Sequence, residues 1–421
     1  MIPLLATQAA AGALDRMETA PKGWHGSVFH PSFHFPARPP QSDAQPWQDI
    51  SFRREPARYL AAVLAYALEG QDRQDWRLEN NHVRHWYHVP WMGPGPTGRE
   101  FIHGLTRERD FPVGELGPAQ VQCRQNWAVA FYNPTGAYVL GRIWRRAAHG
   151  GAPDLSHLPF PGGTVVAKLV FTEATSDDTP LLAGAPELDA NIHAQADTGD
   201  PACPRASASP RAPHRLRLIQ FDLAIKEARA DYKTGWVFSS FLYDGRKPGD
   251  DPWAKLVPLG LMWGNDPYLS DSEAAAGAKP IESTVLTDIG LGTALGRGGR
   301  MNGLADERSS ACSSCHMAAQ WPTAAHMIAP SAWSEAKCWF RNLDARYPFG
   351  LEPNAATKCA DLPTTSAMLS LDFSLQLAIG LRNWSLAHTK SGVMRRTALG
   401  RLLREGDRLT VNEVPGVELR R

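Results

Sequence analysis

"GGTVVAKLVFTEA", residues 162–174, decides the fold. It is rich in β-branched and aromatic residues, it is opened by two glycines, and one charged side chain, Lys168, stands in its middle; it reads as a strand. Two later stretches read the same way, "HRLRLIQFDLAIKEA" at 214–228 and "GWVFSSFLYDG" at 235–245. Upstream, "QNWAVAFYNPTGAYVLGRIW" at 125–144 places two short runs of aromatic and β-branched residues around Asn133-Pro134-Thr135-Gly136, a turn signal, so a β-hairpin is expected there. Together these segments make an antiparallel sheet. The fold class expected is α+β, with an antiparallel β-sheet core, flanking helices and long loops.

Around the strands the chain changes character. Residues 1–22 begin with an Ala-rich apolar stretch and an A-x-A-like "AAAGA" but no basic flank, which reads as a signal remnant or a frayed start. Residues 23–50 are Pro-rich and aromatic without a period, as in extended chain lying over the body. In "EPARYLAAVLAYALEG", Leu60, Val63, Leu64, Ala67 and Leu68 share one helical face, Pro56 suits the first turn and Gly70 the stop. Residues 176–213 are Pro/Ser/Ala-rich towards their end and read as a surface excursion. The Gly-rich 288–303 lacks a phosphate-cradle pattern and reads as a connection. The organisation expected is an N-terminal extension with one helix at 23–120, a β-rich domain at 121–330 and a mostly helical C-terminal extension at 331–421.

The 421 residues carry 44 Lys and Arg against 43 Asp and Glu, a formal charge of +1, so no long-range field recruits nucleic acid or an anionic membrane. No run of eighteen apolar residues supplies a membrane-spanning helix. The many aromatic residues suit ordinary core filling or the wall of a cofactor site.

Chemistry concentrates in "CSSCH", Cys312 to His316. With 6 Cys and 14 His in 421 residues the pattern C-x-x-C-H is expected by chance about 0.003 times, so accident is a poor account of a spacing associated with c-type haem. Cys312 and Cys315 stand nearly one helical turn apart, which allows both sulfurs to form thioethers along one porphyrin edge. His316 then becomes the proximal iron ligand. Zinc needs four ligands, and here only the isolated Cys338 and Cys359 are left to complete a set. A thioredoxin-like dithiol belongs after a parallel strand, not after a Gly-rich approach.

Haem attachment leaves Cys123, Cys203, Cys338 and Cys359. An even number permits two disulfides in an exported compartment, with Cys338–Cys359 preferred and Cys123–Cys203 following by elimination; four buried thiols are the alternative. For the sixth iron position, Met317, Met327, Met368 and His326 follow the motif, and Met368 is the candidate by its downstream distance. His82, His85 and His88 in "HVRHWYH" stand three apart and read as structural, with a second metal as the alternative.

Three stretches in order, "FPGGTVVAKLVFTEA" (160–174), "LAIKEARADYKTGWVFSSFLYDG" (223–245) and "CSSCH", resemble the cytochrome P-460 / cytochrome c'-beta group. The resemblance covers residues 160–320. It implies an antiparallel β fold holding one covalent haem c, often as a homodimer, with His316 proximal and the distal side open to small nitrogen-oxide ligands. In the P-460 branch a strand lysine is linked to the porphyrin and hydroxylamine is oxidised; Lys168 matches that position. The chain differs in its greater length, its 176–213 segment and its continuation past the motif. The expectation carried forward is an exported, periplasmic mono-haem c-type cytochrome serving electron transfer with a redox partner. The alternatives are a haem enzyme or sensor for hydroxylamine, nitric oxide or another small ligand, and a zinc-stabilised binding protein.

Overall fold

In a computed structural model the described residues are 20, 22–26, 33–40, 45–72, 76–92, 105–193, 203, 211–230, 234–287, 295–322, 329, 331–336, 339–343 and 369–390. Their centre is an antiparallel sheet of eight strands: β1 (Thr106–Arg107), β2 (Asn126–Tyr132), β3 (Val165–Thr172), β4 (Glu187–His193), β5 (Arg211–Lys226), β6 (Trp236–Tyr243), β7 (Leu256–Met262) and β8 (Ser283–Val285). The order is β1-β2-β3-β5-β6-β7-β8, and β4 pairs with the first half of the long β5. The three stretches read as strands are β3, β5 and β6, paired side by side.

β2 and β6 are buried along their whole length, and β3 everywhere except at Lys168. Both faces of the sheet are therefore covered, which is why the strands read as nearly continuous apolar runs. One face meets the upstream chain and the β6–β7 connection: Trp76 lies edge-on to Phe171, His88 to Phe131 and Trp253 to Phe221. That packing gives His88 a structural place, as expected of it. His82 and His85 are exposed.

Helix α1 (Pro56–Leu68) forms as its spacing predicts, with Tyr59, Leu60, Val63, Tyr66 and Ala67 buried, and it packs on β7. The expected hairpin at 125–144 is a correction. Its first arm is β2, but Pro134–Trp144 is a helix, α2, burying Ala137, Val139, Leu140, Ile143 and Trp144. The turn signal is in fact a helix start: Asn133 Oδ1 accepts the Gly136 amide at 3.1 Å and Pro134 occupies the first turn, where its missing N–H is no loss. Asn133 is fully buried and also accepts from Val165 N while donating to Gly163 O and Tyr66 Oη, so it fastens α2 to β3 and α1.

The segment 176–213, expected as a surface excursion, is also corrected in part. It supplies β4, with Leu188, Ala190 and Ile192 buried, and Cys203, buried and disulfide-bonded to Cys123. Three alternating apolar residues were enough to pair because β5 extends beyond β3 and offers a free ladder. The Cys123–Cys203 pairing agrees with the elimination made from sequence; Cys338 and Cys359 lie outside the described residues. No helix among the described residues is long and apolar enough to cross a membrane.

Candidate functional site

The second face of the sheet is set by register. Ala130, Lys168, Asp222, Ser240 and Gly260 pair in turn across β2, β3, β5, β6 and β7, and two residues further along run Tyr132, Val166, Ala224, Phe238 and Met262. Both rows share a face, because side chains alternate with a period of two. Onto this face folds the motif. Cys312–His316 is a one-turn helix, α3, whose start is closed by Ser314: its Oγ accepts from Ala311 N at 2.9 Å and donates to Ala311 O at 3.0 Å. Ser313 N approaches Met262 Sδ, and the His316 ring stands 4.7 Å from that of Phe238.

Helical spacing then separates the motif's side chains. Ser313 and Ser314 are buried, whereas Cys312, Cys315 and His316 each keep part of their surface. The two cysteines are free thiols, in a chain that does form a disulfide elsewhere. His316 Nδ1 lies 2.9 Å from the Phe373 carbonyl oxygen, so Nδ1 carries the proton and donates, and Nε2 is the nitrogen with the lone pair. Burial lowers the imidazole to about 4, which keeps it neutral and able to ligate at pH 7.

A cluster of charge borders the same thiols. Lys168 Nζ lies 3.4 Å from Glu108 Oε1, 3.4 Å from Asp306 Oδ1 and 3.8 Å from Asp222 Oδ2. The four side chains are deep in the protein, yet keep 18%, 23%, 22% and 19% of their surface, so they border accessible space instead of filling a core. Burial alone would lower the Lys168 ammonium; Glu108, Asp306 and Asp222 outweigh it and hold it well above the lysine range. Burial and the neighbouring Asp306 push Asp222 up to about 7. Burial also raises Glu108. Asp306 escapes the same pressure because Lys168 and His316 hold it down, with a hydrogen bond from Gln220. Desolvation, then Asp306, pushes both thiols up, and Lys168 and Cys315 are close enough to perturb each other.

Asp306 reaches the cluster on a tight turn. Its Oδ2 accepts from Gly303 N at 3.1 Å and from Gln220 Nε2 at 3.2 Å, and Gln220 Oε1 accepts from Ala305 N at 2.9 Å. Glycine at 303 makes room for both partners: a Cβ there would stand 2.2 Å from Gln220 Nε2 and 2.4 Å from Asp306 Oδ2, so a larger residue has to push these side-chain ends aside. Arg109, paired with Glu115 at 2.6 Å, donates to the Asp306 and Leu304 carbonyls and clamps the turn to the β1–β2 edge. No family model matches the chain, and no curated protein and no solved structure matches it either.

The donor set fits a haem c: two protonated thiols at thioether spacing and a neutral imidazole with Nε2 available, all partly exposed beside a lined space. It fits zinc less well, because burial, and after it the neighbouring Asp306, disfavour the thiolates that zinc requires. Among the described residues no group of three or more His, Cys, Asp or Glu is arranged to hold a metal ion. Of the residues singled out from sequence, the fold brings Lys168 together with Cys312, Cys315 and His316. Met317 is buried, its sulfur accepting from Asn265 Nδ2 at 3.8 Å. Met368, with Met327 and His326, lies outside the described residues. Sequence reasoning missed Glu108, Asp306 and Phe373, which arrive from other elements. It also missed Asp222, which had a signal: in "QFDLAIK" the polar Gln220, Asp222 and Lys226 fall on alternate positions of an apolar strand.

Proposed function

We propose that the chain is an exported mono-haem c-type cytochrome, a haem-dependent redox protein. The observation that carries the reading is the arrangement of α3: Cys312, Cys315 and His316 are partly exposed, and the imidazole is oriented by Phe373 so that Nε2 is left to ligate. Cys312 and Cys315 would hold the group through their sulfurs and His316 through Nε2. When bound, a haem c supplies reversible one-electron exchange at iron, and the sixth position decides whether a small molecule also binds. The chain's own part is to fix the imidazole and wall the space with Phe238, Met262 and Tyr132 on one row and charge on the other. Export accords with the Cys123–Cys203 disulfide, since such bonds persist in oxidising compartments.

The charged cluster favours a second reading, an open site for hydroxylamine, nitric oxide or a similar small ligand, because proton-carrying groups are of no use to a pure electron carrier. In that reading Lys168 acts as a contact and a source of field, not as a cross-linking amine: three carboxylates hold it as an ammonium, which has no lone pair to form a bond. The test is periplasmic expression with haem maturation, a pyridine haemochrome assay, and carbon monoxide added to the reduced protein. One covalent haem per chain is expected. Rapid carbon monoxide binding selects the open site and its absence selects a six-coordinate electron carrier; zinc without covalent haem overturns both.

A further inference from the structure

Two consecutive residues without glycine's freedom sit in the left-handed region, Asp372 at φ 51° and Phe373 at φ 64°. For a residue as bulky as phenylalanine this backbone is unfavourable, and it persists only where the surroundings over-determine it. Here they do. Asp372 is 1% exposed, and its Oδ1 accepts from Lys226 Nζ at 2.7 Å and from Trp236 Nε1 at 2.9 Å. Its Oδ2 accepts from Phe160 N at 2.7 Å. Lys226 and Trp236 face each other across β5 and β6, two residues beyond the Ala224–Phe238 pair and so on the same face. A small ribbon completes the frame: β9 (Gln320–Trp321) pairs with β10 (Leu369–Ser370), Leu371 N donates to Ala319 O, and Ser370 Oγ accepts from Asp372 N.

All of this converges on one atom, the carbonyl oxygen of Phe373, which receives the Nδ1–H of His316. The strained pair is thus tied both to the sheet and to the ribbon that also carries the motif's exit. We propose that Asp372 is the positioning residue of this site. Anchored by Lys226, Trp236 and the Phe160 amide, it holds the Phe373 carbonyl as an obligatory acceptor, which fixes the tautomer, orientation and basicity of His316. The proposal rests on His316 as the proximal ligand. An acceptor at Nδ1 makes the other nitrogen a stronger donor to a metal, so the device also sets the potential.

Charge separates this from a purely structural or electrostatic role. Asp372→Asn removes a negative charge near the site and Lys226→Met removes a positive one. If only charge mattered, the two would move the midpoint potential in opposite directions; if positioning matters, both loosen the carbonyl and both raise it. The measurement uses the full-length holoprotein in a diamagnetic ferrous state, with carbon monoxide added if the sixth position is open. The His316 Nδ1–H resonance is followed by selective histidine ¹⁵N labelling. Solvent exchange of that proton is expected about tenfold faster in Asp372→Asn and Lys226→Met, the equivalent of one hydrogen bond. Trp236→Phe removes a single contact and keeps the ring, so it is the variant to read if the charge variants do not fold; a few-fold acceleration is expected. Unchanged exchange in folded variants, or midpoint potentials that move in opposite directions, overturns the proposal. A wild-type chain that attaches no haem overturns the parent reading alone, since the same labelled chain still reports whether Asp372 governs the His316 tautomer.

Discussion

Replacing Lys168 with methionine keeps the length of the side chain and removes the cation from the cluster with Glu108, Asp222 and Asp306. At 3.4 Å, 3.4 Å and 3.8 Å, and with an effective dielectric of about 20, each contact has a gross attraction of about 4–5 kcal/mol. Most of this is offset, because the ammonium is itself desolvated and the stranded carboxylates can take up protons. A net loss of about 3 kcal/mol at pH 8 is expected, in the range seen when one partner of a buried pair is removed. The pH dependence has a definite sign. Without Lys168, carboxyl groups that burial already raises are pushed higher, so the folded variant binds protons that the unfolded chain has released. Its stability therefore falls as pH rises above the ordinary carboxylate range, whereas the contribution of Lys168 in the natural chain persists until pH passes its raised value. The deficit should be larger at pH 8 than at pH 5.5. Urea unfolding followed by tryptophan fluorescence at both values measures it; a variant as stable as the natural chain at pH 8, or a deficit that grows on acidification, refutes the account.

Gly303→Ala should cost about 1–3 kcal/mol by forcing the 303–306 turn off Gln220, read as a lower melting temperature; no change would mean that the turn can give way freely. Cys123→Ser removes a cross-link between residues 80 apart and should lower stability by about 4 kcal/mol, seen equally on reduction of the natural chain. The double variant Cys312→Ser, Cys315→Ser should lose the covalent mass increment of haem while keeping the sheet by circular dichroism, since both thiols are only partly buried and serine is nearly isosteric with cysteine. If mass spectrometry found an undiminished increment, the attachment site would have to be elsewhere.

How much of this could be read from residues alone varies with the range of the interactions. β3, β5 and β6 were legible because β-branched and aromatic runs are a local property, and both thiol spacing and the neighbouring histidine are local too. Asn133-Pro134 misled because the same dipeptide opens turns and helices, and the choice depends on whether Val139, Leu140, Ile143 and Trp144 find a core to face. β4 was hidden because its partner is the overhang of β5, a matter of relative strand length. The charged cluster was half visible: Lys168 and Asp222 each interrupt an apolar strand, while Glu108 and Asp306 come from irregular chain and can be placed only once Arg109 and Gln220 have positioned it. Phe373 lies 57 residues from His316, and no periodicity links them.

The row from Ala130 to Gly260 has a consequence for the chain before it is folded. A strand displaced by one residue turns every side chain to the opposite face. If β3 slipped against β5, Lys168 would leave its carboxylates and enter the layer of Phe131, Phe171 and Phe221, and Asp222 would face an aliphatic neighbour. An all-apolar β3 would tolerate that mistake, since both of its faces are buried. The single lysine and the single aspartate opposite it therefore act as a key cut into an otherwise featureless strand pair, admitting one alignment and rejecting its neighbours.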